Sequence, residues 1–351
     1  MIGTWTRGLL AIIGVCCLTA SAAAPEGPQK SKREAAAERL QKRRVADKAP
    51  GASIAADRPI VPPGIEVALR TGQYRNALPK IRKHLDDNPD DADLHALLGY
   101  VYARIGMYGD AQTAFGLSLG STVYEMICVS RHADTLRYTG DPEQAAQLRR
   151  ERVLTLRDDN DALSLLMGVV EDLRYAGDFE GAEEALYEAM AMSPGSGVVY
   201  AMAADLAMDQ GDMEEASYNL WLAALYGQEE QRVKVANARL LMLEGDYEEA
   251  QEHLNTRRIV RRYFTPIMMQ AEIYRRQGIP DEALAIAESA RVSDKTRPEV
   301  MAEQLAALAS LGDLVEAREV AAQIRATYPR DPNALAALAV LEKAEARAQA
   351  R

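Results

Sequence analysis

Residues 98–115 read Leu98-Gly99-Tyr100-Val101-Tyr102-Ala103-Arg104-Ile105-Gly106-Met107-Tyr108-Gly109-Asp110-Ala111-Gln112-Thr113-Ala114-Phe115. An apolar run stops at a glycine and a second run begins two residues later. Gly106 suits a helix end, where a left-handed backbone is cheap without a Cβ. Ala111 suits a helix crossing, where a larger side chain would push two axes apart. The stretch therefore predicts a helix, a tight turn and a second helix packed back on the first.

The same pattern recurs in both directions along the chain. Glycines stand at Gly72, Gly106, Gly140, Gly177, Gly211, Gly245, Gly278 and Gly312, spaced 34, 34, 37, 34, 34, 33 and 34 residues apart. Five residues after each comes an alanine: Ala77, Ala111, Ala145, Ala182, Ala216, Ala250, Ala283 and Ala317. Two residues after the glycine the side chain is large and apolar in six copies and proline in two, Pro142 and Pro280. Aspartate follows the glycine at Asp141, Asp178, Asp212, Asp246 and Asp313, placed to cap the second helix of its unit. A fixed period of this length marks stacked supersecondary units. The extra residues in the one long interval fall around Arg157-Asp158-Asp159-Asn160.

Leu98-Gly99, Tyr102, Gly106, Tyr108, Ala111 and Phe115, with unit-ending prolines at Pro89, Pro194 and Pro329, resemble the tetratricopeptide repeat. The resemblance covers residues 58 to 330. It implies an all-α fold, a right-handed α-solenoid of eight helix-turn-helix repeats, assigned here to residues 64–330. Residues 331–351 follow as a capping helix spanning 332–349, with Leu335, Leu338 and Leu341 expected on its covered side, because a solenoid must shield its last apolar face. Prolines shorten the first helix of the first unit.

Composition agrees with packed helices. Of 351 residues, 48% are hydrophobic, yet only 3 are Phe and 2 are Trp, a poor supply for strands. The net charge is -11, and residues 51–351 carry 32 bases against 48 acids. Such a body lacks the basic footprint that phosphate contacts need, which argues against a nucleic-acid partner.

The N-terminus carries Arg7, an apolar run from Gly8 to Leu18, and small residues up to Ala24. This order is that of a secretory signal peptide, assigned to residues 1–22, with a mature start expected near Ala23. The run is too short to span a bilayer. Val15 before Cys16, and Cys16 before Cys17, fit a lipoprotein signal poorly. After cleavage Cys128 would be the sole cysteine, expected to act as a small buried hydrophobe. Residues 23–63 read as a basic linker, with Lys and Arg concentrated in 30–48 and almost no apolar face. A solvated tether is the expectation; peripheral contact with an anionic membrane surface is the alternative.

Catalytic machinery is not legible. The 4 histidines lie in separate helices, and no His-x-x-x-His or Cys-x-x-Cys spacing, phosphate loop or nucleophile elbow exists. Neither a cofactor nor a metal is expected. The basic group Arg257, Arg258, Arg261 and Arg262 reads as helix-end charge. By the resemblance, the first helix of each unit lines a concave groove, and Tyr100, Arg104, Arg137, Tyr138, Met167, Arg174, Tyr175, Arg239 and Arg275 are the candidate partner-binding residues. Tyrosine, arginine and methionine favour such surfaces. Asp134 with Arg137, Glu171 with Arg174, and Glu272 with Arg275 are each spaced to pair within one helix instead. The expectation is an exported, non-catalytic adaptor in the periplasm or outer envelope. It would bind a protein segment within an envelope assembly for polysaccharide export, pilus formation, secretion or motility. A membrane-tethered spacer, held by an uncleaved or lipidated N-terminus, is the alternative.

Overall fold

The computed structural model describes residues 63–350 apart from 119–120, 122–124, 157, 228–229, 255–263 and 291–296. The signal and linker readings, and the Arg257 to Arg262 group, lie outside them. The described residues form seventeen helices and no strand. In order they are α1 (Pro63–Arg70), α2 (Tyr74–Asp87), α3 (Ala92–Arg104), α4 (Tyr108–Leu117), α5 (Glu125–Thr139), α6 (Pro142–Val153), α7 (Asp159–Ala176), α8 (Phe179–Met192) and α9 (Gly197–Gln210). There follow α10 (Met213–Gly227), α11 (Gln231–Glu244), α12 (Tyr247–Leu254), α13 (Phe264–Arg276), α14 (Pro280–Ser289), α15 (Pro298–Leu311), α16 (Leu314–Thr327) and α17 (Pro332–Gln349). Each hairpin pairs an odd-numbered helix with the next even one, and α17 closes the stack of a right-handed α-solenoid.

All eight spacer glycines adopt positive φ, from +72° at Gly72 to +99° at Gly140. The residue after each donates its N–H to the carbonyl five positions back, as Asp178 does to Leu173 and Asp212 to Ala207, both at 2.9 Å. That bond is the Schellman closure, and it needs the left-handed turn. The eight phased alanines are fully buried at 0% exposure, where the two helices of each unit cross.

The aspartates cap as expected in four of five copies. Carboxylates of Asp178, Asp212, Asp246 and Asp313 accept from the N–H of Gly181 (3.0 Å), Glu215 (2.9 Å), Glu249 (3.2 Å) and Glu316 (3.3 Å). Asp141 makes no side-chain cap bond; proline at 142 occupies the first helical position after it. The copies supply an internal control. Asp178→Ala is expected to cost about 1 kcal/mol in urea unfolding, and Asp141→Ala close to none.

The long interval is also explained locally. Asp158 caps α7 by accepting from Asn160 (2.8 Å) and Asp161 (3.0 Å), so the added residues provide a linker and a capped start to an 18-residue helix. The cap α17 occupies the span predicted for it, but its covered face differs in one position. Ala334, Ala337, Leu338 and Leu341 are buried, whereas Leu335 is 50% exposed. The buried set has the i, i+3, i+4, i+7 spacing of one helical stripe, and Leu335 falls beside it. Cys128 is buried with Leu94, Leu97 and Phe115, and burial pushes its thiol up to about 12, which leaves it an apolar filler.

The stack also closes on itself. Tyr108 of α4 belongs to the buried cluster formed by Met301, Leu305, Leu308, Ile324, Tyr328 and Leu338 of the C-terminal hairpin and cap. Its ring lies 5.3 Å from Tyr138 of α5 and 6.2 Å from Tyr328. A Cβ at Gly140 would stand 3.2 Å from the Cβ of Arg330. The second and third hairpins thus meet the eighth, and the solenoid is a ring with a seam.

Candidate functional site

The odd-numbered helices α5, α7, α9 and α11 lie side by side and carry a lattice of arginines and carboxylates. Arg137 pairs with Asp134 (3.4 Å) on its own helix and with Glu171 (3.5 Å) and Asp172 (3.1 Å) on α7. Arg174 reaches Asp209 (2.7 Å) and Asp205 (3.6 Å) on α9. From the other side, Arg239 of α11 meets Asp205 (3.0 Å) and Asp209, and Arg232 bridges Asp205 (2.9 Å) and Glu171 (2.7 Å). The even-numbered α6 contributes Arg149, buried to 4%, which pairs with Asp172 and with Asp134 (2.5 Å) and donates to the Ser130 carbonyl (3.1 Å). Gly168 leaves the space for it: a Cβ there would lie 2.5 Å from the Arg149 Nε.

Burial alone would raise the Asp134, Glu171 and Asp205 carboxyls. The guanidiniums around them outweigh it and hold all three below the usual carboxylate range. The lattice is therefore a charged layer with its own counterions. It joins consecutive units and leaves Arg137, Arg174 and Arg239 engaged with carboxylates of this chain. The in-helix pairing read from sequence holds for Asp134 with Arg137. Arg174 and Arg275 instead reach forward to the next unit, and Glu272 takes Arg276 at 2.7 Å. Arginine is long enough to span parallel neighbours, and the neighbour's carboxylate is the more buried partner.

The other candidates are placed separately. Tyr100 meets Tyr74 edge-on at 6.1 Å, and Arg104 lies over the Tyr74 ring at 4.9 Å. Met167 is half-buried against the core of the fourth unit. The Tyr175 hydroxyl is buried without a hydrogen-bond partner. Tyr138 packs against Tyr108 at the seam.

Arg275 lines an open hollow. The hollow, about 350 Å³, is bounded by α13, α15 and α17, with Met268, Met269, Glu272, Glu299, Glu303 and Val340 among its walls. Arg275 donates to Glu303 at 2.8 Å, so one side of the hollow is ionic and the other is methionine and alanine. Burial raises the Glu299 and Glu303 carboxyls, and one oxygen of Glu299 is buried without a partner. Met269, Glu299 and Glu303 escaped sequence reasoning, since nothing in the repeat phase distinguishes them. No group of His, Cys, Asp and Glu among the described residues could hold a metal, and no described helix is long and apolar enough to cross a membrane.

Helical hairpins of constant period, closed by a glycine turn and crossed at an alanine, define an α-solenoid of the kind that presents extended concave surfaces. Residues 173–217 match the tetratricopeptide repeat family model. The same turn and crossing repeat in phase on both sides of that match, so the described helices form an α-solenoid of tetratricopeptide-like hairpins. No curated protein matches the chain. Among solved structures it is similar to the MamA protein, at 15% identity over 47% of this chain and 89% of that one, with a TM-score of 0.41. It is also similar to PilF of Pseudomonas aeruginosa, at 18% identity, 69% and 99% coverage and a TM-score of 0.41. A tetratricopeptide repeat protein from Parabacteroides merdae aligns at 12% identity, 72% and 98% coverage and a TM-score of 0.43.

Proposed function

We propose that the protein is a non-catalytic adaptor, exported to the cell envelope, that holds an extended segment of a protein partner against its concave face. The hollow between α13, α15 and α17 carries this reading. It combines polarisable, adaptable methionines with Glu272, Glu299 and Glu303, a surface suited to a segment that presents an apolar side chain next to a basic one. Arg275 sits within it. By the repeat resemblance, Tyr100, Arg104, Met167 and Tyr175 belong to the same first-helix face in the more N-terminal units. Export is supported by the Arg7 and Gly8–Leu18 pattern followed by small residues. Assembly of polysaccharide export, pilus, secretion or motility machinery is the setting such an exported repeat protein fits. A spacer held at the membrane by its N-terminus is the competing role.

A photo-reactive residue at Ala336, in the wall of the hollow, tests both points in the cell of origin. The expected result is one dominant crosslinked envelope protein, lost on Met268→Lys with Glu272→Arg, together with an N-terminus beginning near Ala23. A crosslink unchanged by those substitutions would remove the hollow from the binding surface. A retained Met1 would overturn export and leave the scaffold.

A further inference from the structure

We propose that the seam is a reversible latch: the ring opens between the third and eighth hairpins, with every hairpin still folded, and recloses.

The seam is narrower than the contacts between successive units. Neighbouring hairpins share continuous apolar layers, such as the cluster from Val153 through Leu173 to Leu206. At the seam, of the described residues in the second and third hairpins only Tyr108 and Tyr138 enter the cluster of the eighth hairpin and cap, with Arg330 beside Gly140. The seam also encloses polar atoms that it does not satisfy. Asp331 is 1% exposed, and while its Oδ1 caps α17 at the Ala334 N–H (2.8 Å), its Oδ2 has no partner. One oxygen of Glu299 shares that condition. A buried unsatisfied acceptor costs on the order of 1–3 kcal/mol, and opening returns both to water. Closure thus sets aromatic contact and the Tyr138–Glu299 hydrogen bond against desolvation of these carboxylates.

Protons bias the balance in a definite direction. Glu299 faces Tyr138 and Arg137 across the seam and Arg297 and Tyr328 on its own side. Asp331 faces Arg137 across the seam and the Asn333 and Ala334 N–H groups of its own helix. The arginines and N–H groups favour the ionised forms, but burial prevails, raising Glu299 and pushing Asp331 up to about 6. In the open ring both return toward ordinary carboxylate values. The closed form therefore binds protons more tightly. Its advantage is full below pH 4 or so and is lost as pH rises through about 6.

Small-angle X-ray scattering of the full chain between pH 4.5 and pH 8, with circular dichroism in parallel, tests the latch. The expected result is a radius of gyration that increases with a midpoint near 6 at constant helical signal. Tyr108→Ser with Tyr138→Ser should give the expanded value at every pH. A wild-type radius independent of pH would overturn the proposal, even if the tyrosine variant failed to fold. So would an expansion that loses helical signal in step.

Discussion

Replacing Phe115 by alanine is expected to destabilise the second and third hairpins by about 3–5 kcal/mol. The ring is 1% exposed at the end of α4. It sits directly over Gly99, where a Cβ would come within 2.6 Å of it, and stacks on His132 of α5 at 5.1 Å. Gly99 gives the surroundings no side chain with which to fill the void, so the truncated site keeps its cavity. Because a repeat stack is held mainly by neighbours, hydrogen exchange should quicken across α3 to α5 while α9 and α10 keep their protection. A second readout is independent of unfolding. Burial lowers the His132 pKa, and water entering the Phe115 cavity should move it back up in an NMR titration. Loss of exchange protection spread evenly over the chain would contradict this local account.

The second large effect is electrostatic. Asp172 is 0% exposed and receives Arg149 on one oxygen and Arg137 on the other. Asp172→Ala leaves a guanidinium buried at 5% side-chain exposure with one carboxylate fewer. Removing one partner of a buried pair costs roughly 3–5 kcal/mol. Arg149 keeps Asp134 and the Ser130 carbonyl, so about 3 kcal/mol is expected here. Adding Arg149→Met removes the stranded charge. Urea unfolding of the double variant should then show it more stable than Asp172→Ala alone. A double variant as unstable as the sum of its parts would mean that Arg149 serves by packing rather than by charge.

What was legible in the sequence was everything set within one period. The glycine turns, the alanine crossings, most aspartate caps and the span of α17 each depend on residues a few positions apart, and the structure has them where the phase puts them. The lattice was half legible. Counting back from each glycine, Asp134, Glu171, Asp205, Arg239 and Glu272 share one column and Arg137, Arg174 and Arg275 another. Opposite charges in adjacent columns announce pairing but do not say whether a partner lies on the same helix or the next. That choice turns on the distance between parallel helices, which sequence spacing does not encode. Gly168, which makes room for Arg149 of α6, was the signal that could have placed that arginine.

The seam was out of reach for a different reason. Whether Tyr108 meets Tyr328 depends on the rotation from one unit to the next added over six units, and a small error in each becomes a large one in the sum. Tyr138, assigned by the repeat resemblance to a binding cluster in adjacent units, owes its contact with Tyr108 and the C-terminal cluster to that accumulated angle.

A linear solenoid tolerates gain or loss of a whole unit, since a new hairpin merely lengthens the stack. A solenoid whose eighth hairpin returns to its second and third does not. Duplicating residues 212–245 would preserve every local turn and crossing yet rotate the Tyr328 wall past Tyr108. The number of hairpins between Tyr108 and Tyr328 is then fixed by circumference, as the number of staves in a cask is.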